Sequence, residues 1–495
     1  MLKWPLFVSA TLACGAIGMN LTSCSSVASS APVKGHDGVI ASAAVQQATS
    51  MRRLYQLNCA KCHGESGEGG GAGTPSLLTM EKFHQKWDKP FYDAIKNGTE
   101  TGMDAYGETL SPAEIWGLVV HIRELQGEAL KNELANKRGK DGIYASPTHP
   151  YRVETVVESG LSVPWGIDWL PDGTMLVTNR PGSMVLVKDG DIVGTVTGLP
   201  AVVAMGQGGL MDVAVHYDYA KTGWIYLTYS HPGESDPSKS LTKLVRGKLT
   251  GTKWGSQQTI VQFDESLYQG GGLHFGSRIV FDKKGHVFFC MGERGRGELS
   301  QDLTKPNGKV FRVKEDGSIP SDNPFVKGTK GELKEIWSYG HRNHQGLAMD
   351  EAGRLWDTEH GPRGGDEVNL VEKGANYGWP RIAHSINYND AALATPWDDS
   401  GKYKQPIFRW IPSIGASGLD VVRGSAFPKW KGDLVAGGLS GANVDRIRIK
   451  DGKFVEREGL IKWMGRVRDV VIGPEGYIYV ALNQPDKIVR IVPAN

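Results

Sequence analysis

Cysteine is scarce. Five in 495 residues, at positions 14, 24, 59, 62 and 290, are too few and too scattered for a disulfide framework. Cys290 stands alone in the apolar stretch SRIVFDKKGHVFFCMG and is expected to be a small buried hydrophobe. Beside Cys59 and Cys62 the second ligand pair that a zinc site needs is missing. After the first twenty residues no apolar run reaches the length of a membrane-spanning helix. Charge of one sign is also missing: 56 Lys and Arg against 54 Asp and Glu leave a net charge of +2, which argues against nucleic acid and against an anionic lipid surface as partners. What is plentiful is glycine, 65 residues, and tryptophan, 14, a composition suited to an all-β chain with many tight turns. The length exceeds one ordinary core, so more than one domain is expected.

Residues 1–24 have the form of an export signal: Lys3, a mostly apolar run from Leu6 to Ile17, then small residues. Leu21-Thr22-Ser23-Cys24 resembles a bacterial lipobox, in which Cys24 is lipidated and becomes the mature N-terminus; a plain secretory signal with an incidental Cys24 is the alternative. The expected location is periplasmic, with a lipid anchor as the one contact with a membrane. Residues 25–49, rich in Ala, Ser and Val, form a tether.

Cys59-Ala60-Lys61-Cys62-His63 is the attachment pattern of a c-type haem, with both thiols bonded to the vinyl groups and His63 on the iron. Met51 to Leu57 is predicted to be a helix leading into it. Ser111-Pro112-Ala113-Glu114 is a capping box with proline at the first helical position. Behind it, Ile115, Val119, Ile122 and Leu125 form an apolar stripe at helical spacing. The intervening NGTETGMDAYGETLSPAEIW resembles the distal half of a small class I cytochrome c, and that resemblance makes Met103 the sixth ligand, with Met80 as the competing thioether. A cytochrome c domain is thus expected over 50–127, followed by a charged segment, 128–147, that serves as a linker or extends the last helix.

From residue 148 the pattern changes to short strands and repeats. GIDWLPDGTMLVTN, GLMDVAVHYDYAKTGWIYLTYS, SRIVFDKKGHVFFCMG, GLAMDEAGRLWDTEH, GLDVVRGSAFPKWKGDLVAGG and RDVVIGPEGYIYVALN are six copies of one unit: an apolar strand, a turn and an alternating strand. Repetition of this kind predicts an all-β six-bladed β-propeller over 148–495, behind the small all-α cytochrome c domain. The long stretches 231–258 and 380–408 are expected to be loops that set the substrate.

Propellers carry ligand sites at one mouth of the channel. Loop residues there include Gln207, His274, Arg342, Asn343, Glu367, Tyr377, Tyr388, Trp410, Arg466 and Arg468. Arg466 and Arg468, at i and i+2 of an extended segment, share a face and suit a polycarboxylate. Gly361-Pro362 and Glu367 offer the oxygen ligands that a hard cation prefers.

The ordered set GQGGL, LHFGSRIVFD, GHRNHQGLA, EHGP, DEVNL, GANYGWP and GRVRDV resembles the PQQ-dependent soluble glucose/aldose sugar dehydrogenase family. That resemblance implies several roles. His274 is the general base that takes the proton of the sugar's anomeric hydroxyl. Gln207, Arg342, Asn343, Tyr388, Leu439, Ser440, Arg466 and Arg468 contact PQQ. The carbonyls of Gly361 and Pro362 hold calcium, and Glu367 with the Tyr377 carbonyl holds a further calcium. Two positions depart from the glucose-oxidising branch. Leu273 replaces the acid that precedes the base, which leaves the orientation of His274 open, and Ser440 stands where a lysine binds the cofactor.

The expectation is therefore a quinohaemoprotein with PQQ, haem c and calcium. It oxidises an aldose sugar to its lactone and hands electrons to its own haem, then to a downstream electron acceptor. The rival is a non-catalytic ligand-binding propeller fused to an electron carrier. A calcium-dependent lactonase or an eight-bladed alcohol dehydrogenase accounts less well for the haem domain and for six repeats.

Overall fold

The computed structural model describes residues 50–398 and 400–494; the export signal, Cys24 and the tether lie outside the described residues. Helix α1 (Met51–Asn58) opens on Ser50, whose hydroxyl accepts from Arg53 N at 3.1 Å. The single turn α2 (Ala60–His63) follows and carries the rest of the haem motif. Helix α3 (Asp88–Asn97) and helix α4 (Pro112–Ala129) complete the unit. The α4 capping box is present, with Ser111 and Glu114 bonded reciprocally.

The stripe read from the sequence accounts for only one side of α4. Trp116, Val120, Arg123 and Gly127 on its other faces are buried as well, because the propeller packs there. A Cβ added to Gly127 would lie 2.7 Å from the Pro412 ring, so the helix and the propeller meet at backbone distance. Trp116 packs edge-on against His384 and Trp397. A helix buried all round loses the amphipathic signature of a surface helix.

Six four-stranded antiparallel sheets make up the propeller, with inner strands at Pro164–Trp169, Leu210–Val215, Ile279–Phe281, His344–Met349, Ala416–Val421 and Arg466–Ile472. Each overlaps one sequence repeat, and four of them begin two residues before it. The sixth sheet takes its outermost strand, Tyr151–Val157, from the start of the domain, which pairs with Lys487–Pro493 and closes the ring. Inner-strand aspartates stitch neighbouring sheets. Asp168 accepts from Val215 N at 2.6 Å, Asp212 from Ile279 N at 2.8 Å, Asp420 from Ile472 N at 2.8 Å and Asp469 from Ile167 N at 3.2 Å. Each carboxyl oxygen satisfies a backbone N–H of the neighbouring sheet's inner strand.

Two stretches behave differently from the sequence expectation. Residues 231–258 are not a substrate loop: Ser240–Thr250 and Lys253–Val261 are the outer strands of the second sheet. Residues 380–408 do form a long connection between Asp366–Val371 and Phe408–Trp410, but much of it packs on the helical unit, with Ile386 inside that unit's apolar cluster. The segment after α4 also lies on the propeller, where Asn136 N donates to Gly459 O at 2.8 Å and its amide to Glu458 at 2.7 Å.

Candidate active site

One mouth of the channel collects the loop residues. His274 precedes the inner strand of the third sheet and has φ +50°, a left-handed conformation that a non-glycine residue holds only when its surroundings impose it. Two bonds do so: its N–H donates to Gln207 Oε1 at 2.9 Å, and Nδ1 lies 2.8 Å from Glu293 Oε1. The other Glu293 oxygen accepts from Arg296 N at 2.8 Å. With Nδ1 committed to the carboxylate, Nε2 is the ring nitrogen available to a substrate.

Glu293 was not legible as a site residue in the sequence. The hairpin holds the missing signal: Ile279 pairs with Phe289 and Phe281 with Val287. Beyond that ladder the two chain segments run on past a bulge at Ser277 and Arg278 opposite Cys290, which brings Glu293 to His274. Leu273, where the glucose-oxidising branch has an acid, is half-exposed, so the imidazole is oriented from the opposite strand.

Arg342 and Asn343 come next along the mouth. Arg342 O accepts from Glu293 N at 2.8 Å, and Arg342 N donates to Glu359 Oε2 at 2.7 Å. The guanidinium reaches Gly361 O at 3.2 Å and Tyr388 OH at 3.4 Å, and lies over the Trp379 ring. Tyr388 is otherwise open to solvent, 71% exposed. Arg468 lies over the Trp165 ring and donates to Asn483; burial and the neighbouring Arg466 push it down to about 10. Burial also pushes His360 down to about 3, with Arg342 and then His274 as the next causes. His360 thus lies among these groups, a role the sequence did not assign to it. Asp366 ties this mouth to Ser440. Its carboxylate accepts from Gly361 N, Ile414 N and Ala416 N, while Leu439 N and Ser440 N donate to Gly415 O and Ile414 O. Trp410 does not belong to the mouth; it is buried in an inter-sheet cluster and donates to Asp445 at 2.7 Å.

Several buried polar atoms at this mouth find no protein partner among the described residues: Arg342 Nε, Asn343 Nδ2, Arg468 Nε and His360 Nε2. Burying such groups unpaired costs about 1–3 kcal/mol each. A planar polycarboxylate would satisfy the three donors, so the residues fit PQQ.

A second cluster lies behind Arg342. Glu359 and Glu367 face each other directly across two strands, and Asp357 pairs with Asn369 in the same register. Asn369 Nδ2 sits between the two glutamates, at 3.0 and 3.3 Å. Burial raises the pKa of all three carboxyls, and Glu359 raises those of Asp357 and Glu367 further. Like charges opposed in a sheet are destabilising, and Asp357 Oδ1 and Asn369 Oδ1 are buried without donors. An oxygen-rich set of this kind fits a hard cation. His341 stacks on Tyr377 and, with His344 and Glu359, borders the same cluster.

At the helical unit, Cys59 and Cys62 are not joined to each other or to another cysteine, and His63 Nδ1 is buried without a protein partner. Met103 packs against the cluster that contains Cys59, and Tyr106 OH donates to Asn58 O at 3.0 Å. Met80 is half-exposed beside Phe83, His84 and Phe454. Two cysteines outside any disulfide and an imidazole without a protein partner fit a covalent haem.

An oriented imidazole, unpaired cationic donors and a haem-attachment motif on one chain define an oxidoreductase built on a six-bladed propeller with its own electron carrier. A family model described as Glucose / Sorbosone dehydrogenase matches residues 161–490, and one described as Cytochrome C oxidase, cbb3-type, subunit III matches residues 46–122. The chain belongs to the glucose/sorbosone dehydrogenase family. It is 38% identical over 346 residues to the aldose sugar dehydrogenase YliI of Escherichia coli (strain K12), covering 69% of this chain and 92% of that one. The apo crystal structure of the soluble aldose sugar dehydrogenase from Escherichia coli superposes with a TM-score of 0.64 at 36% identity, over 70% of this chain and all of that one. The PQQ-bound aldose sugar dehydrogenase of Streptomyces coelicolor superposes with a TM-score of 0.55 at 26% identity, over 70% of this chain and 99% of that one.

Proposed function

We propose that this chain is a PQQ- and calcium-dependent aldose dehydrogenase that oxidises sugars to lactones and reduces its own haem c. The observation that carries the reading is the pairing of a carboxylate-oriented His274 with the unpartnered donors of Arg342, Asn343 and Arg468. Bound PQQ would supply the two-electron hydride acceptor, calcium would polarise it, and haem would take electrons singly. The protein's part is positional and acid–base. His274 Nε2 takes the anomeric hydroxyl proton while Glu293 holds the imidazole and compensates its positive charge. Arg342, Asn343, Arg466 and Arg468 hold carboxylates, with Gln207, Tyr388, Leu439 and Ser440 around them. Gly361, Pro362, Glu367 and Tyr377 supply oxygens for calcium. Residues 1–24 support export and a lipid anchor at Cys24, with a one-electron acceptor downstream of the haem.

The test is addition of a panel of aldoses to protein loaded with PQQ, calcium and haem, without mediator. The haem absorbance should shift to the reduced form at a rate independent of protein concentration. Loaded protein whose haem stays oxidised with every aldose would overturn the reading.

A further inference from the structure

We propose that Arg363 is a positioning residue that locks the haem unit onto the rim of the sugar site, so that electron transfer runs in one docked geometry rather than by encounter of tethered domains. The inference rests on the quinohaemoprotein reading above, and its docking arm can be tested apart from that reading.

Arg363 follows Gly361-Pro362 directly. Its guanidinium grips Glu124 of α4 with two parallel bonds, Nε to Oε1 at 2.7 Å and Nη2 to Oε2 at 2.8 Å, and its third nitrogen, Nη1, reaches Asp390 Oδ1 at 2.8 Å. Asp390 in turn holds the start of α1. Its Oδ2 accepts from Arg52 N at 3.0 Å and its carbonyl from Met51 N at 2.8 Å, filling two of the donor positions that a helix N-terminus leaves open. Asp390 lies two residues beyond Tyr388, and α1 ends one residue before Cys59. Arg363 N and O also bond to Ile386 O and N, at 3.2 and 3.0 Å. One side chain therefore connects the Gly361-Pro362 turn, the loop that carries Tyr388, the helix that leads into the haem motif, and α4.

A second contact of the same kind lies on the neighbouring strands. Asp88, at the start of α3, is buried between Arg123 and Arg409, and Arg409 sits opposite Glu367 in the strand register. Both contacts end on the elements that bear the cation-site oxygens. Exposed ion pairs contribute little. The Arg363–Glu124 pair is bidentate, and at Asp88 each carboxylate oxygen takes two nitrogens of one arginine. Both contacts are partly or fully buried and joined into networks, which makes them specific in geometry.

The redox balance defines what docking must serve. The sugar loses two electrons and two protons, one as hydride and one to His274, and each haem iron accepts one electron. An added one-electron oxidant, ferricyanide, is therefore needed to complete turnover. The linker alone would give a high effective concentration and a distribution of distances, whereas the clasp gives one distance.

The experiment is a charge-swap cycle in the full chain: Glu124→Arg, Arg363→Glu and the double variant, with Gly127→Leu as an uncharged route to the same separation. Hydrogen exchange on the PQQ-free, haem-loaded protein reads docking, and mediator-free haem reduction by sugar reads transfer. The single variants should speed exchange at the Met51, Arg52 and 386–392 amides at least tenfold and slow haem reduction about tenfold. Glu124→Arg should still reduce artificial dyes at the wild-type rate. The double variant restores the 124–363 pair but sets a carboxylate at 363 against Asp390, so it should recover haem reduction only in part. Lengthening the chain by four Gly-Ser residues after Lys140 should leave haem reduction unchanged. Wild-type exchange and wild-type haem reduction in both single variants and Gly127→Leu would overturn the clasp, as would a rate that falls with linker length. Wild-type protein that no aldose reduces defeats the functional reading instead, and the exchange arm still decides the docking.

Discussion

Glu293 Oε1 lies 2.8 Å from His274 Nδ1, and the two residues stand just beyond the open ends of one hairpin, formed by Ile279–Phe281 and His286–Met291. The contact answers what Leu273 left open: the imidazole is held from the second strand of the sheet. His274→Ala should keep the cofactor and lose on the order of 10² to 10⁴ in sugar oxidation, the usual size of a general-base contribution. Glu293→Gln should keep His274 in place but lose its charge compensation, with kcat lower by on the order of 10² and KM little changed. Steady-state kinetics on PQQ-saturated variants checks both. Turnover near wild type for His274→Ala would move the base to another residue.

The propeller was readable from the sequence because each inner strand and its partner repeat as a unit with a turn between them. The haem motif was readable because its chemistry demands fixed spacing. Two things were hidden for physical reasons. The 380–408 connection has no periodicity, since its contacts are made to another unit rather than to a sheet. Glu293 and His360 meet their partners across a turn, 19 and 18 residues away, so no contiguous motif marks them. The apolar stripe of α4 was correct for one side, but Trp116, Val120 and Gly127 hid the second interface among residues that a surface helix would also tolerate.

Lys309 supports the loop behind Glu293. Its ammonium donates to the carbonyls of Leu299, Ser300 and Asn307, at 3.1, 2.8 and 2.6 Å, while Asn307 donates to Glu293 O. Burial pushes its pKa down to about 7. The folded state therefore binds fewer protons than the unfolded chain between about pH 7 and the free lysine value of about 10.4. Stability should rise with pH across that window and be flat just below it. Lys309→Met leaves three carbonyls without donors and should cost about 1–3 kcal/mol at pH 7, with the gap from wild type widening toward pH 10. Urea titrations at pH 7, 8 and 9 read this directly, and parallel wild-type and variant curves would refute it.

Glu359 and Glu367 face each other with Asp357 beside them, so a cation should be a structural element as well as a cofactor. Removing divalent ions with a chelator, checked by elemental analysis, should lower thermal stability. Calcium at about 100 times its Kd should restore about 2.7 kcal/mol. Glu367→Gln should abolish most of that calcium-dependent gain while leaving the apo protein as stable as wild type or more so, because the opposed charges are relieved. A stability that does not respond to chelation would remove the cation from this cluster.

The haem's sixth ligand separates two methionines that the sequence left in competition. Met103 packs with Cys59 in the apolar cluster, on a loop tied to the end of α1 through Tyr106. Met80 is half-exposed. Its thioether stands partly in solvent, whereas Met103 is packed into the same apolar cluster as Cys59. Met103→Ala should remove a thioether ligand, lowering the haem potential and opening the iron to added imidazole, whereas Met80→Leu should leave both unchanged. Redox titration followed by optical absorbance, with and without imidazole, distinguishes them. A potential that falls only in Met80→Leu would reverse the assignment and require the 99–106 loop to pack away from the haem.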